Sequence, residues 1–199
     1  MPKDFEKQSY WKERFSTETS FEWLVSSDTF MSILEPHLAR LEKTARILQL
    51  GSGTSDLQNH LRSRGFCDVT NVDYEPLAMD RGRDIEKKAF GDVVTKYVVA
   101  DATQLGQVEG LSGKFDFVVD KSTADAISCG EGPGLLRMAA GIRERLVEGG
   151  VWISFSLSSS RFDNGQLPFK VEVMAKVPTP KLKPTDPDIF YWCYLLRPT

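Results

Sequence analysis

The stretch ILQLGSGTSDL, residues 47–57, leaves an apolar run through a turn of small residues and resumes with helical spacing. Residues 46–50 read as a buried strand, and 55–64 as a helix ended by Gly65. Between them lie Gly51, Ser52 and Gly53. Glycine adopts positive φ without steric cost and lets the backbone approach a neighbour closely, so a junction built on two of them expects something packed against it. In an open parallel sheet such a junction faces the crevice beyond the carboxyl ends of the strands, where ligands bind.

The alternation continues outward from this unit. VTNVD (69–73) reads as a second strand, 76–89 as a helix, 94–99 as a third strand and FDFVVD (115–120) as a fourth. A helix over 134–147 stops at Gly149-Gly150, and VWISFSL (151–157) follows as a fifth strand. Upstream, 28–42 reads as a helix begun by Asp28, and 1–25 is polar with scattered aromatics. Short β-branched strands separated by helical spacing predict a parallel sheet covered on both faces. The end of the chain departs from that pattern. FKVEVMAKV and DIFYWCYLLR flank PTPKLKPTDP, whose prolines at 178, 180, 184 and 187 forbid a helix, so the pair predicts an antiparallel hairpin with a long loop.

With 199 residues, 41% hydrophobic and 27% charged, the chain has the size and composition of one globular domain. We expect a single domain over 1–199, in which a helical cap, 1–44, covers a core, 45–199. A formal net charge of −3 supplies no basic field for nucleic acid or an anionic membrane. No apolar run reaches the length of a membrane span. The opening MPKDFEKQSYWKERF lacks the apolar core of a secretory signal, so the expected location is the cytoplasm, with the nucleus as the alternative. Cys67, Cys129 and Cys193 are odd in number and far apart, and only His37 and His60 accompany them; a reducing compartment and no metal centre are expected. A monomer is expected.

Several acidic residues fall on the ligand edge. Asp73 ends the second strand about 20 residues beyond the glycine turn, the place from which an acid takes ribose hydroxyls. Asp101, in VVADATQL, faces an adenine amino group in this scheme, and Asp120, in FDFVVDKSTADA, the far end of the cofactor. The position of a third glycine, which a dinucleotide's pyrophosphate needs, is Asp56, and a carboxylate there repels phosphate. No Gly-Lys-Ser/Thr follows, which excludes a phosphate-binding loop of that type. S-adenosylmethionine carries a sulfonium, an ammonium and one carboxylate but no phosphate, so an acid-lined pocket selects it. Plainer roles are open to the same residues. Gly51 and Gly53 serve tight turns, Asp73 and Asp101 serve as helix caps, Ser122 and Asp125 have capping-box spacing, and Lys121 taken alone is a solvated charge.

Taken together and in order, YWKERF, FEWL, ILQLGSGTSDL, VTNVDYE, DATQL and FDFVVDKSTADAI resemble the class I methyltransferases. More narrowly, the chain resembles the seven-strand lysine methyltransferases that act on translation elongation factor 1-alpha, from about Tyr10 to the final strand. The resemblance implies an α/β fold, a Rossmann-like doubly wound sheet of seven strands, mostly parallel with the C-terminal antiparallel hairpin. It implies cofactor contacts from Trp11, Phe15 and Trp23, from Gly51 with Gly53 in the same turn, from Asp73 and Tyr74, from Asp101 and Ala102, and from Lys121. Where the family has Gly and Leu after the fourth strand, this chain has Ser122 and Ala124; where its glycine turn has Cys and Asn, this chain has Ser52 and Thr54.

Those departures border the acceptor side. Protein lysine leads as acceptor, with a translation elongation factor as the partner in view. A small molecule offering a thiol, amine or hydroxyl is the alternative, and a cofactor-binding scaffold without catalysis is a third. For a lysine, Asp120 or Asp125 is expected to steer the amine, and Trp11, Phe15 and Trp23 to form a lid that excludes water.

Overall fold

The apolar run around the glycine turn becomes the central strand of a seven-stranded sheet. In the computed structural model, which describes residues 4–108 and 110–199, β1 (Ile47–Leu50) is buried along its length. Parallel neighbours flank it, β2 (Val69–Asp73) on one side and β4 (Phe115–Lys121) on the other. With β3 (Lys96–Val99), β5 (Leu146–Ser156), β6 (Phe169–Pro178) and β7 (Phe190–Pro198), the order across the sheet is β3-β2-β1-β4-β5-β7-β6. β7 runs antiparallel to both β5 and β6, opposite to the other six strands, and pairs with β6 as the hairpin expected from the last two apolar runs.

Strands buried on both faces need helices on both. Met138, Ala139 and Ile142 of α6 (Gly134–Arg145), with Ala124 of α5 (Thr123–Ile127), cover Leu48, Leu50, Val118 and Trp152. The opposite face, Ile47, Phe117, Val119 and Ile153, is covered by Phe30, Met31 and Leu34 of α2 (Ser27–Leu38) and by Leu57 and Leu61 of α3 (Leu57–Ser63). A smaller cluster joins Ala78 and Met79 of α4 (Pro76–Phe90) to Phe15 of α1 (Gln8–Thr17), and so fastens the N-terminal segment to the sheet. No helix among the described residues is long and apolar enough to cross a membrane.

Several element boundaries differ from expectation, and three of the differences have a local cause. Within residues 1–25 the structure forms α1, whose single fully buried residue, Phe15, leaves no periodic stripe to read. The helix expected over 28–42 starts at Ser27, where the Ser26 hydroxyl accepts from the Thr29 N–H, and ends at Leu38, two residues after Pro36 removes a donor from its last turn. The helix expected to reach 147 stops at Arg145 because Leu146 takes extended backbone and pairs with Phe115. Gly149 and Gly150 therefore lie inside β5, beside the register shift between Phe115 and Phe117.

Candidate active site

All the strand ends that sequence reasoning placed on one edge open into a single cavity of about 480 Å³. Its walls come from the glycine turn (Gln49, Gly51, Ser52, Gly53), the ends of β2 and β3 (Asp73, Tyr74, Asp101, Ala102), the β4–α5 junction (Lys121, Ser122, Asp125) and the end of β5 (Leu157). From β3 to β5 is four strand intervals, about 19 Å, so the cavity is a trough across the sheet edge.

What lies against the turn is first of all the protein itself. Gly51 has φ +58°, and a Cβ there would stand 2.1 Å from the Thr123 hydroxyl, which donates to the Leu50 carbonyl at 2.9 Å. Gly53, at φ +52°, sits over the Phe15 ring with ordinary contact distance to spare. Its N–H donates to Asp73 at 3.0 Å, and the other Asp73 oxygen accepts from the Glu75 N–H at 3.0 Å. Asp73 thus shapes the turn and borders the trough, and each oxygen keeps a lone pair. Burial pushes its carboxyl up to about 6, against the pull of those N–H donors. Asp101 likewise does two things: it caps the 3₁₀ segment Ala102–Gln107 through the Thr103 N–H at 2.7 Å and lines the trough.

Aromatic rings from the N-terminal segment form the roof. Trp11 packs on Phe15 at 5.5 Å and on Trp23 at 5.8 Å between centroids, and its indole N–H donates to the Phe5 carbonyl. The Arg14 guanidinium lies over Phe21 and Trp23 at 4.6 and 4.7 Å and pairs with Glu18, tying α1 to the segment that follows it. All three lid residues expected from the sequence line the trough.

The two carboxylates expected to steer the acceptor take different places in the structure. Asp120 does not line the trough. It is fully buried on the face it shares with Val118, where it accepts from the Trp152 indole N–H at 2.8 Å and the Ala124 N–H at 3.1 Å. It holds α5 on the sheet. Alternation along β4 sends Lys121, not Asp120, to the other face. Asp125 does line the trough, but its oxygens are occupied by four donors: Ser122 Oγ, Ser156 Oγ, the Leu157 N–H and Arg161 Nε. It anchors the loop after β5 rather than standing free as a base. Asp120→Ala is expected to cost about 2 kcal/mol in denaturant unfolding, because two buried N–H groups lose their acceptor, while cofactor affinity stays unchanged.

Sequence reasoning missed Glu22, which binds Lys121, and Thr123 against Gly51. The signal for Asp120 was legible in principle, since a buried tryptophan needs an acceptor for its N–H. Cys129 borders the trough, and burial pushes its thiol away from thiolate.

The donor set fits S-adenosylmethionine. Asp73 and Asp101 line the trough with carboxylates, acceptors of the kind that the hydroxyl and amino groups of an adenosine require. The side chains of Gln49 and Ser52, both among the lining residues, carry buried oxygens without a partner, which an ammonium would supply. A pyrophosphate finds no such welcome: the Asp56 N–H, at the start of α3, is already bonded to the Glu22 carboxylate.

Comparison with known proteins agrees with this geometry. Residues 48–151 match the family model of a methyltransferase domain. The chain is 59% identical to methyltransferase srdJ of Neurospora crassa over 98% of its own length and 84% of that protein's. It is 34% identical to the EEF1A lysine methyltransferase 4 of Bos taurus over 64% of this chain, and spans 48% of that longer relative. Among solved structures, the N-methyltransferase NodS of Bradyrhizobium japonicum, in complex with S-adenosyl-L-homocysteine, superposes with a TM-score of 0.66 at 12% identity, covering 94% of this chain and 98% of NodS. The magnesium protoporphyrin IX methyltransferase of Synechocystis, with bound S-adenosylmethionine, gives 0.64 at 12% identity over 97% and 93%.

Proposed function

Because this chain belongs to the S-adenosylmethionine-dependent methyltransferases with the seven-strand Rossmann-like fold, we propose that it methylates a lysine amine of a protein substrate. A translation elongation factor is the first candidate, since bovine and murine relatives are named for lysine methylation of EEF1A. The observation that carries the proposal is the wall at the β4–β5 end of the trough. There Ile127 and Leu157 offer apolar surface, Phe21 and Trp23 of the roof line the same trough, and the carboxylate of α5, Asp125, is already paired with Arg161.

The cofactor, when bound, supplies a methyl group on a sulfonium, open to in-line attack. This chain's residues hold the partners in line and exclude water. A lysine ammonium, with an ordinary pKa of about 10.4, loses its proton more readily beside apolar rings than in water, because desolvation disfavours the charged form. With Asp125 saturated and Asp120 in the core, that desolvation replaces a side-chain base from either. The lid is central to it. Trp11→Ala is expected to weaken S-adenosylmethionine binding about tenfold in a calorimetric titration, through lost ring contact and an opened roof. Unchanged affinity removes Trp11 from the lid.

The same neutralised wall also accommodates a planar, uncharged acceptor, which favours a small molecule as second reading. Incubation with radiolabelled S-adenosylmethionine and a cell lysate separates the two. Label in a protein band, lost when its lysines are blocked, supports the lysine acceptor. Label confined to the small-molecule fraction overturns it.

A further inference from the structure

Residues 18–25 join α1 to α2 and turn sharply at Leu24, whose φ of +65° is unfavourable for a leucine. One ammonium grips the chain on both sides of that turn. Lys121, at the end of β4, contacts the Glu22 carboxylate and donates to the Val25 carbonyl at 3.0 Å. The other Glu22 oxygen accepts from Ser27 Oγ at 3.0 Å and from the Asp56 N–H at 3.1 Å. Glu22 therefore joins the lid segment, the start of α2, the helix after the glycine turn and the end of β4. A carboxylate with donors from three elements is not a solvated charge. The Lys121 side chain is only 6% exposed, and burial pulls its ammonium down from the usual range, with the Glu22 carboxylate directly against it.

An ammonium has three N–H groups. Glu22 and Val25 engage two, one remains, and Lys121 is among the residues that line the trough. Its place on the sheet edge is decisive. Asp73 and Asp101 claim the adenosine half of the cofactor at the β2 and β3 ends, which leaves the amino-acid half beside β1 and β4, where Lys121 stands.

We infer that Glu22 is a positioning residue for the cofactor: it fixes the Lys121 ammonium so that its remaining N–H meets the methionine carboxylate, and by the same bonds holds Trp23 in the roof. This assignment is independent of the methyl acceptor. It makes the lid and the carboxylate contact one device, since the lysine that receives the cofactor is also the one that holds the turn closed.

The test compares two ligands on one protein. S-adenosylmethionine has the carboxylate; 5′-methylthioadenosine keeps the adenosine and the sulfur but lacks the amino-acid end. Titration calorimetry on wild type and Glu22→Gln is expected to show S-adenosylmethionine binding weakened about tenfold and 5′-methylthioadenosine binding changed by less than about twofold. A general loss of fold lowers both affinities alike and leaves their ratio intact, so the ratio reads positioning. Should Glu22→Gln fold poorly, Ser27→Ala removes one neutral donor from Glu22 and is expected to shift the same ratio in the same direction, by about twofold. Equal weakening of the two ligands reduces Glu22 to a wall support and overturns the inference. Tighter binding of S-adenosylmethionine overturns it too, because Glu22 then only competes with the cofactor for Lys121.

Discussion

Asp73→Ala is expected to weaken S-adenosylmethionine binding by on the order of 100-fold, the loss of two hydrogen bonds to a charged acceptor. Asp73 stands at the end of β2 with its carboxylate between the Gly53 and Glu75 N–H groups and a free lone pair on each oxygen. Those lone pairs are what a ribose diol needs, and the buried setting makes each bond stronger than it would be in water. The substitution also frees the turn, since Gly53 loses the acceptor that sets its distance from β2. Calorimetric titration reads the affinity, and thermal unfolding without ligand shows that the variant is folded. Affinity within about threefold of wild type would take Asp73 out of the site.

The same residue gives the binding a pH dependence with a definite sign. In the free protein its carboxyl is raised to about 6, chiefly by burial. Ribose hydroxyls donate to the ionised form, so protonation competes with the cofactor. The ionisation of Asp73 is expected to make affinity fall by up to about tenfold per unit below pH 6. In Asp73→Asn that slope disappears, which distinguishes this group from others in the trough. For folding the sign is opposite. A carboxyl whose folded pKa lies above its unfolded value is destabilising when ionised, so the free protein gains stability from it as pH falls from 7 toward 5. Asp120, raised to about 6 by burial as well, acts in the same direction, and His37, lowered by burial, acts against both. Falling affinity together with steady or rising stability is the expected pair of observations.

The order of elements was legible because each strand of a parallel sheet is a short apolar run and each crossover has helical period. Asp73 and Asp101 were legible for the same reason: a strand's carboxyl end is a place in the sequence as well as in space. Side-chain direction was not. FDFVVDK is apolar on both faces, so nothing in the run says that Asp120 turns under α5 while Lys121 turns toward the lid. Asp125 was legible as a cap but not as the anchor of the loop after β5, because Ser156, Leu157 and Arg161 reach it only through the pairing of β4 with β5. Glu22 was invisible for a different reason. An acidic residue between aromatics looks solvated until a residue 99 positions away meets it. Long-range pairing, not local pattern, makes the lid.

The glycine turn carries the largest expected effect on stability, and its two glycines separate the causes. Gly51→Ala and Gly53→Ala both place a side chain at positive φ, +58° and +52°, at a cost of about 1 kcal/mol each. They differ in what the new Cβ meets. At Gly53 it stands 3.5 Å from the nearest Phe15 carbon, an ordinary contact. At Gly51 it stands 2.1 Å from Thr123 Oγ1 and 2.9 Å from Thr123 Cβ, so no rotation of the threonine relieves it. Either α5 or the turn must move, and the bond from Thr123 to the Leu50 carbonyl goes with it. That overpacking adds about 2 kcal/mol. A total near 3 kcal/mol corresponds to a Tm lower by about 6–12 °C for a chain of this length, against about 2–4 °C for Gly53→Ala. Equal shifts for the two variants would mean that backbone conformation alone demands both glycines. Unequal shifts in the stated order mean that Gly51 is glycine because Thr123 occupies its side-chain space, and that the turn is shaped by the protein before any ligand arrives.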